Sequence, residues 1–173
     1  MTRPELVLLF IVLFVLAMLG LWSGWRGRAR RQSELPALPA TPPDLGAPQA
    51  PELSGLYVGT TVATEWQNRI VVHTLGQRAD AVARLGRAGA VIERQGAGTI
   101  FIPAQALLDA RLEPALAGKV VGQGGLLVLR WQHGGIELDT GFRADDKSLY
   151  PDWVTAINDS TISNDGQGTT ADE

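Results

Sequence analysis

Between Leu56 and Phe142 the chain is a succession of short apolar runs, and nearly every gap between them holds a glycine. The runs are 56–63, 78–86, 90–95, 99–104, 107–113, 125–132 and 136–142, seven in all. Runs this short, separated by residues that tolerate positive φ, cannot be long helices and read as strands of an antiparallel sheet. Pro103 closes the fourth run, where a missing N–H costs least.

The last two runs set their own register. With Gly134 and Gly135 as a two-residue hairpin turn, His133 faces Ile136, Gln132 faces Glu137, Trp131 faces Leu138, Arg130 faces Asp139 and Leu129 faces Thr140. Leu127, Leu129 and Trp131 then share a face with Leu138, Thr140 and Phe142, and the charged residues share the other. A slip of one residue would put Trp131 beside Glu137, so the alternation itself selects the pairing.

This pairing bears on Asp139-Thr140-Gly141, the triplet with which aspartic proteases present a catalytic carboxylate. That chemistry needs two aspartates sharing a proton, hence two triplets or a symmetric dimer. The chain has one triplet, followed by Phe142 where such proteases carry a small residue, and it lies within an alternating strand. Asp139 is therefore expected on the outer, solvent-facing side, in a cross-strand ion pair with Arg130 contributing about 0.2–1 kcal/mol. No catalytic residue is assigned.

Past the last run the period changes. Leu149, Trp153 and Ile157 recur at helical spacing, with Asp146 or Ser148 as a cap and Pro151 near the start. The expected architecture is mainly β: a seven-stranded bent antiparallel barrel over 55–158, capped by a C-terminal helix whose Trp153 plugs the open end.

At the other terminus, Leu6 to Trp25 is uncharged. A helix of about 20 such residues spans the ~30 Å hydrocarbon core of a bilayer, and the run is too long and too directly followed by arginines for a cleaved signal peptide. Arg26, Arg28, Arg30 and Arg31 follow it, whereas Arg3 and Glu5 precede it. Basic residues stay preferentially in the cytoplasm, so the expected topology is a single pass through the plasma membrane, N-terminus outside and domain inside. Trp22 and Trp25 fall where an interfacial aromatic belt would lie, and the basic segment 26–31 is suited to anionic lipid headgroups.

Residues 32–54, rich in proline and alanine, read as a semi-rigid spacer with a reach of up to about 60 Å. Residues 159–173 read as a polar, disordered tail. The formal net charge is −3, and the body beyond residue 55 has no basic stripe, which argues against nucleic acid as a partner. With no cysteine, and with His73 and His133 as lone surface or turn histidines, no metal site or cofactor is expected. The glycine-rich 118–125 lacks the spacing of a phosphate-binding loop and reads as a flexible turn.

The segments "AVIERQGAGTIFIPAQAL", "ALAGKVVGQGGLLVLRW" and "ELDTGFRADD" resemble those of membrane-anchored PH-like (bacterial pleckstrin-homology-like) domain proteins of actinobacteria. The resemblance covers 55–158 and the N-terminal anchor. It implies a bent barrel capped by a helix and a non-catalytic module that binds lipids, peptides or proteins. Phosphoinositides are disfavoured, because the segment joining the first two strands offers only Arg69, His73 and Arg78 against Glu65. A protein or peptide partner is expected, with an accessory role in a membrane transport or export assembly as the alternative.

Overall fold

The computed structural model describes residues 12, 14–16, 18, 35–63, 65, 67, 69–117, 119–120 and 125–165. Met1–Leu35 and Pro36–Glu173 form separate compact units. In the first, the described positions 12, 14–16 and 18 are helical. Among the described residues no helix is long and apolar enough to cross a membrane. Apart from those five positions the expected span Leu6–Trp25 lies outside the described residues, as do Trp22, Trp25, Arg26, Arg28, Arg30 and Arg31.

The second unit is built on strands β1 (Leu53–Val62), β2 (Ala79–Gly86), β3 (Gly89–Arg94), β4 (Ile100–Pro103), β5 (Leu107–Glu113), β6 (Ala115–Leu116), β7 (Lys119–Val120), β8 (Leu126–His133) and β9 (Ile136–Ala144), followed by helix α1 (Tyr150–Asp165). Seven of them form one sheet in the order β4-β3-β2-β1-β9-β8-β5, and every pairing is antiparallel. These seven coincide with the seven apolar runs to within three residues at each end. β4 and β5 do not pair with each other. The expected barrel is thus an open sheet with two edges.

The inner face carries the core. Leu127, Leu129, Trp131, Leu138, Thr140 and Phe142 are all buried, and the β8–β9 register is the one the alternation dictates, with Arg130 opposite Asp139. Gly134 and Gly135 both have positive φ, as a tight hairpin turn requires. The outer face is not all solvated. β6 and β7 form a short hairpin that lays Leu116 and Ala117 over Val58, Leu126 and Val128 as a second apolar cluster; of the expected flexible turn 118–125, Lys119 and Val120 are strand and 118 and 121–124 lie outside the described residues.

Helix α1 begins behind a 3-10 turn, Lys147–Leu149, capped by the Asp146 carboxylate, which accepts from the Ser148 amide at 2.9 Å. Pro151 stands in its first turn, where no intrahelical donor is needed. Trp153 and Ile157 are buried as expected, but Tyr150 is buried in place of Leu149, because the 3-10 turn rotates Leu149 partly outward. The helix runs to Asp165, so residues 159–165 are not the disordered tail their composition suggests. Asn158 meets the edge strand β5. Its amide accepts from the Ala110 N–H at 2.9 Å and donates to the Ala110 carbonyl at 3.0 Å, standing in for a missing neighbouring strand.

A further difference concerns the proline-rich stretch. Residues 45–49 pair with the β2–β3 turn: the Ala88 N–H donates to the Leu45 carbonyl at 2.9 Å, Arg87 N–H to the Ala47 carbonyl at 3.2 Å, and Gln49 N–H to the Leu85 carbonyl at 2.9 Å. The Trp153 indole donates to the Pro51 carbonyl at 2.7 Å. The expected spacer is a strap bound to the domain. Periodicity could not show this, because the bonds are made by backbone groups and no residue from 36 to 50 is buried.

Candidate functional site

Asp139 lies on the outer face of β9, opposite Arg130 on β8 and Thr61 on β1. The expectation that it faces solvent is overturned: the residue is only 3% exposed. β5 packs beside β8 and carries Arg111 onto the same patch, a third strand that reading one hairpin could not include. Each guanidinium grips the carboxylate through two N–H groups. Arg130 donates from Nε to Oδ1 at 2.9 Å and from Nη2 to Oδ2 at 3.0 Å; Arg111 donates from Nη1 to Oδ1 at 3.3 Å and from Nη2 to Oδ2 at 2.6 Å.

A carboxylate offers about four lone-pair sites, and here each oxygen accepts two bonds. The hydroxyl of Thr61, buried at the paired position on β1, has no hydrogen-bond partner, the only such side-chain atom among the described residues. Burial pushes the Asp139 pKa up, but the hydrogen bonds and charges of Arg130 and Arg111 outweigh it and leave the carboxyl below its ordinary value. For Arg111, burial opposes the charged form, yet bonds to Asp139, Glu113 and Asp109 raise its pKa. A carboxylate so held cannot share a proton with a second one or activate water. The aspartic-protease reading fails on this geometry.

The rest of the triplet is structural too. On the inner face the Trp131 indole, which can only donate, bonds to the Thr140 hydroxyl at 2.9 Å. Thr140 meets Thr60 at 2.8 Å, Thr60 meets the Tyr57 hydroxyl at 2.7 Å, and Tyr57 donates to the Leu75 carbonyl at 2.6 Å. With a pure donor at one end and a pure acceptor at the other, every hydroxyl in the row must donate toward Leu75. Burial pushes the Tyr57 phenol up to about 12, against the lowering effects of Thr60, Arg94 and Arg69. Gly141 completes the triplet by leaving room for the β6–β7 hairpin, since a Cβ there would lie 2.5 Å from Leu116 Cδ2.

The segment 69–77 closes one end of the inner face. Ile70 N–H donates to the Thr60 carbonyl at 2.8 Å, Thr60 N–H donates to the Leu75 carbonyl at 3.0 Å, and the Ile70 and Leu75 side chains are buried. Arg94, 6% exposed, donates to the Thr74 carbonyl at 2.6 Å, the Thr74 hydroxyl at 2.8 Å and the Gly98 carbonyl at 2.8 Å, and its guanidinium lies 4.8 Å over the Tyr57 ring. Arg69 donates to the carbonyls of Gly76 at 2.9 Å and Ala117 at 2.7 Å. His73, Thr74 and Ala117 are the non-glycine residues with positive φ among those described. Such backbones persist only where the surroundings over-determine them, and two of the three carbonyls are gripped by a guanidinium. Both arginines are turned into the protein. They build a closure, not a cationic pocket.

His133 is likewise not a surface histidine. It is buried, its ring lies 5.4 Å from that of Trp131, and Nε2 is 3.0 Å from the Pro36 carbonyl, so Nε2 carries the proton. The signal was present in the alternation, which puts position 133 on the same face as 127, 129 and 131. Among the described residues no group of His, Asp and Glu is arranged to hold a metal ion. An open groove of about 600 Å³ lies between the β2–β3 turn and α1, lined by Leu85, Arg87, Leu107, Ile157 and Ser160 among others, with Gln49 of the strap at its edge.

A family model described as bacterial PH domain-like matches residues 35–158. No curated protein matches the chain.

Proposed function

The chain belongs to the bacterial PH domain-like family, and from that premise we infer that it is a non-catalytic interaction module for a protein or peptide partner, held at the plasma membrane by the span Leu6–Trp25. On this reading it is a membrane-anchored, actinobacterial member of the family, with its N-terminus outside and the domain in the cytoplasm. The observation that carries the non-catalytic part is the saturation of Asp139 by Arg111 and Arg130. The family match supports the interaction role by analogy of fold.

A protein or peptide is favoured over a phosphoinositide by the disposition of the cations. Arg69 and Arg94 spend their donors on backbone carbonyls and the Thr74 hydroxyl, which leaves the exposed Arg78 beside the closing segment, too little positive charge for a polyphosphate. The excess of arginine after the span supports the orientation and an anionic-lipid contact at 26–31. An accessory role in a transport or export assembly is the second reading, since a single uncharged helix forms no pathway without partners.

The tests use the absence of native cysteine. Single cysteines at Thr2 and Thr169, treated in intact cells with a membrane-impermeant thiol reagent, should label at position 2 only; labelling at 169 alone refutes the orientation. Photocrosslinkers on exposed positions of the domain should capture a protein. Recovery of lipid alone would refute the choice of partner.

A further inference from the structure

The strap differs from the rest of the domain in how it is held. From Pro36 to Ala50 no residue is fully buried, though Leu38, Pro39, Pro42, Leu45 and Ala50 are half-buried, and the hydrogen bonds that attach the strap are made by its backbone: Leu45, Ala47 and Gln49 on the β2–β3 turn, the Pro36 carbonyl on His133, and the Pro51 carbonyl on Trp153 just beyond. Core elements are held by fully buried side chains, and the strap by half-buried ones and by hydrogen bonds that water can replace. The seat is nevertheless specific. Gly86 lies flat beneath Leu45, where a Cβ would come within 2.7 Å of the Leu45 Cβ and closer still to its carbonyl oxygen. Gly46 turns the chain with φ +72°, its amide bonded to the Asp44 carboxylate at 2.8 Å.

We propose that residues 36–50 are a stowed leash: docked, they shorten the connection between the N-terminal segment and the domain, and released, they return its length. The sequence of the leash fits both states. The five prolines from Pro36 to Pro48 hold much of the strap near extended geometry bound or free, which limits the conformational order lost on docking. Released at about 3 Å per residue, 15 residues add roughly 45 Å of reach. A change of that size alters which partners a tethered module meets and at what effective concentration. The release of the strap stands on the domain alone; the change in reach rests on the membrane anchoring proposed above.

Hydrogen exchange on the full-length chain in lipid vesicles tests the release. The amides of Gln49, Arg87 and Ala88 should exchange at least about 100-fold faster than those of the β1–β9 ladder, because they open without global unfolding. Equal rates would mean that the strap leaves only when the domain unfolds, and the proposal would be wrong. Two variants perturb the seat from opposite sides. Gly86→Ala crowds Leu45, and Gln49→Pro removes one donor at an exposed position outside the sheet; each should abolish the remaining protection of the Arg87 and Ala88 amides, which donate to the strap, and leave the ladder unchanged. Should Gly86→Ala unfold the sheet, Gln49→Pro alone decides.

The reach is measured with a dye on Lys147→Cys and acceptor lipids in the vesicle. Energy transfer should fall in Gln49→Pro; unchanged transfer with the strap exposed overturns the leash. A chain that fails to enter vesicles overturns the anchoring instead, and the exchange data on the strap still decide the release.

Discussion

Replacing Asp139 with asparagine keeps the shape and removes one charge, which makes it the sharpest probe of the outer-face cluster. An exposed cross-strand pair would lose about 0.2–1 kcal/mol. Here the carboxylate is 4% exposed and two bidentate guanidiniums would face a neutral amide able to accept on one side only. Removing one partner of a buried ion pair typically costs about 3–5 kcal/mol. Arg111 and Arg130 retain 27% and 25% exposure, and Arg111 keeps Glu113 at 2.8 Å and Asp109 at 3.3 Å, so water and those neighbours absorb part of the loss. The expected destabilisation is about 2–3 kcal/mol. With a urea slope of about 1–3 kcal/mol/M, the midpoint followed by tryptophan fluorescence should fall by roughly 0.7–3 M.

The pH dependence supplies an independent check. The Asp139 pKa is depressed in the folded protein, so its contribution is complete above the unfolded carboxyl value near 4 and is lost as pH falls toward the folded value. The stability gap between the native chain and Asp139→Asn should therefore be constant at neutral pH and shrink below about pH 4. A loss under 0.5 kcal/mol, or a gap indifferent to acid, would refute the clamp.

Thr140→Val preserves the volume of the inner face but leaves the Trp131 indole without an acceptor, for an expected loss of about 1–3 kcal/mol in denaturant titrations. Asn158→Ala should cost about 1–2 kcal/mol in thermal melts and, by baring the Ala110 backbone on the β5 edge, raise concentration-dependent light scattering. Gly141→Ala pushes on Leu116 and should displace the β6–β7 hairpin at a cost of about 1 kcal/mol, with NMR shift changes concentrated at Leu116, Ala117 and Val128.

The parts of the structure legible beforehand share one physical basis: local periodicity. Alternation around Gly134-Gly135 fixes which residue faces which, because a single slip would bury Glu137, and the observed register follows it pair for pair. The 3.6-residue period after Asp146 marks a helix with Trp153 and Ile157 inward. Where signals are not periodic the reading falters. Leu149 fits the helical spacing but belongs to a 3-10 turn, and the polarity of 159–165 suggests disorder where the helix continues.

By itself, then, the sequence determined the strand series, the β8–β9 register, the inner face, the terminal helix and the lack of a second catalytic triplet, all consequences of spacing along one chain. Only the tertiary structure decided the environment of Asp139, because Arg111 arrives from β5, 28 residues away, through strand order that no local pattern encodes. The same holds for the polar row from Trp131 to Leu75 and for the closing of the sheet end by Arg94, which join distant segments. The strap was hidden for a different reason. It is bound through main-chain carbonyls and amides that every residue possesses, so its proline and alanine side chains announce an extended chain and leave unspecified where that chain lies.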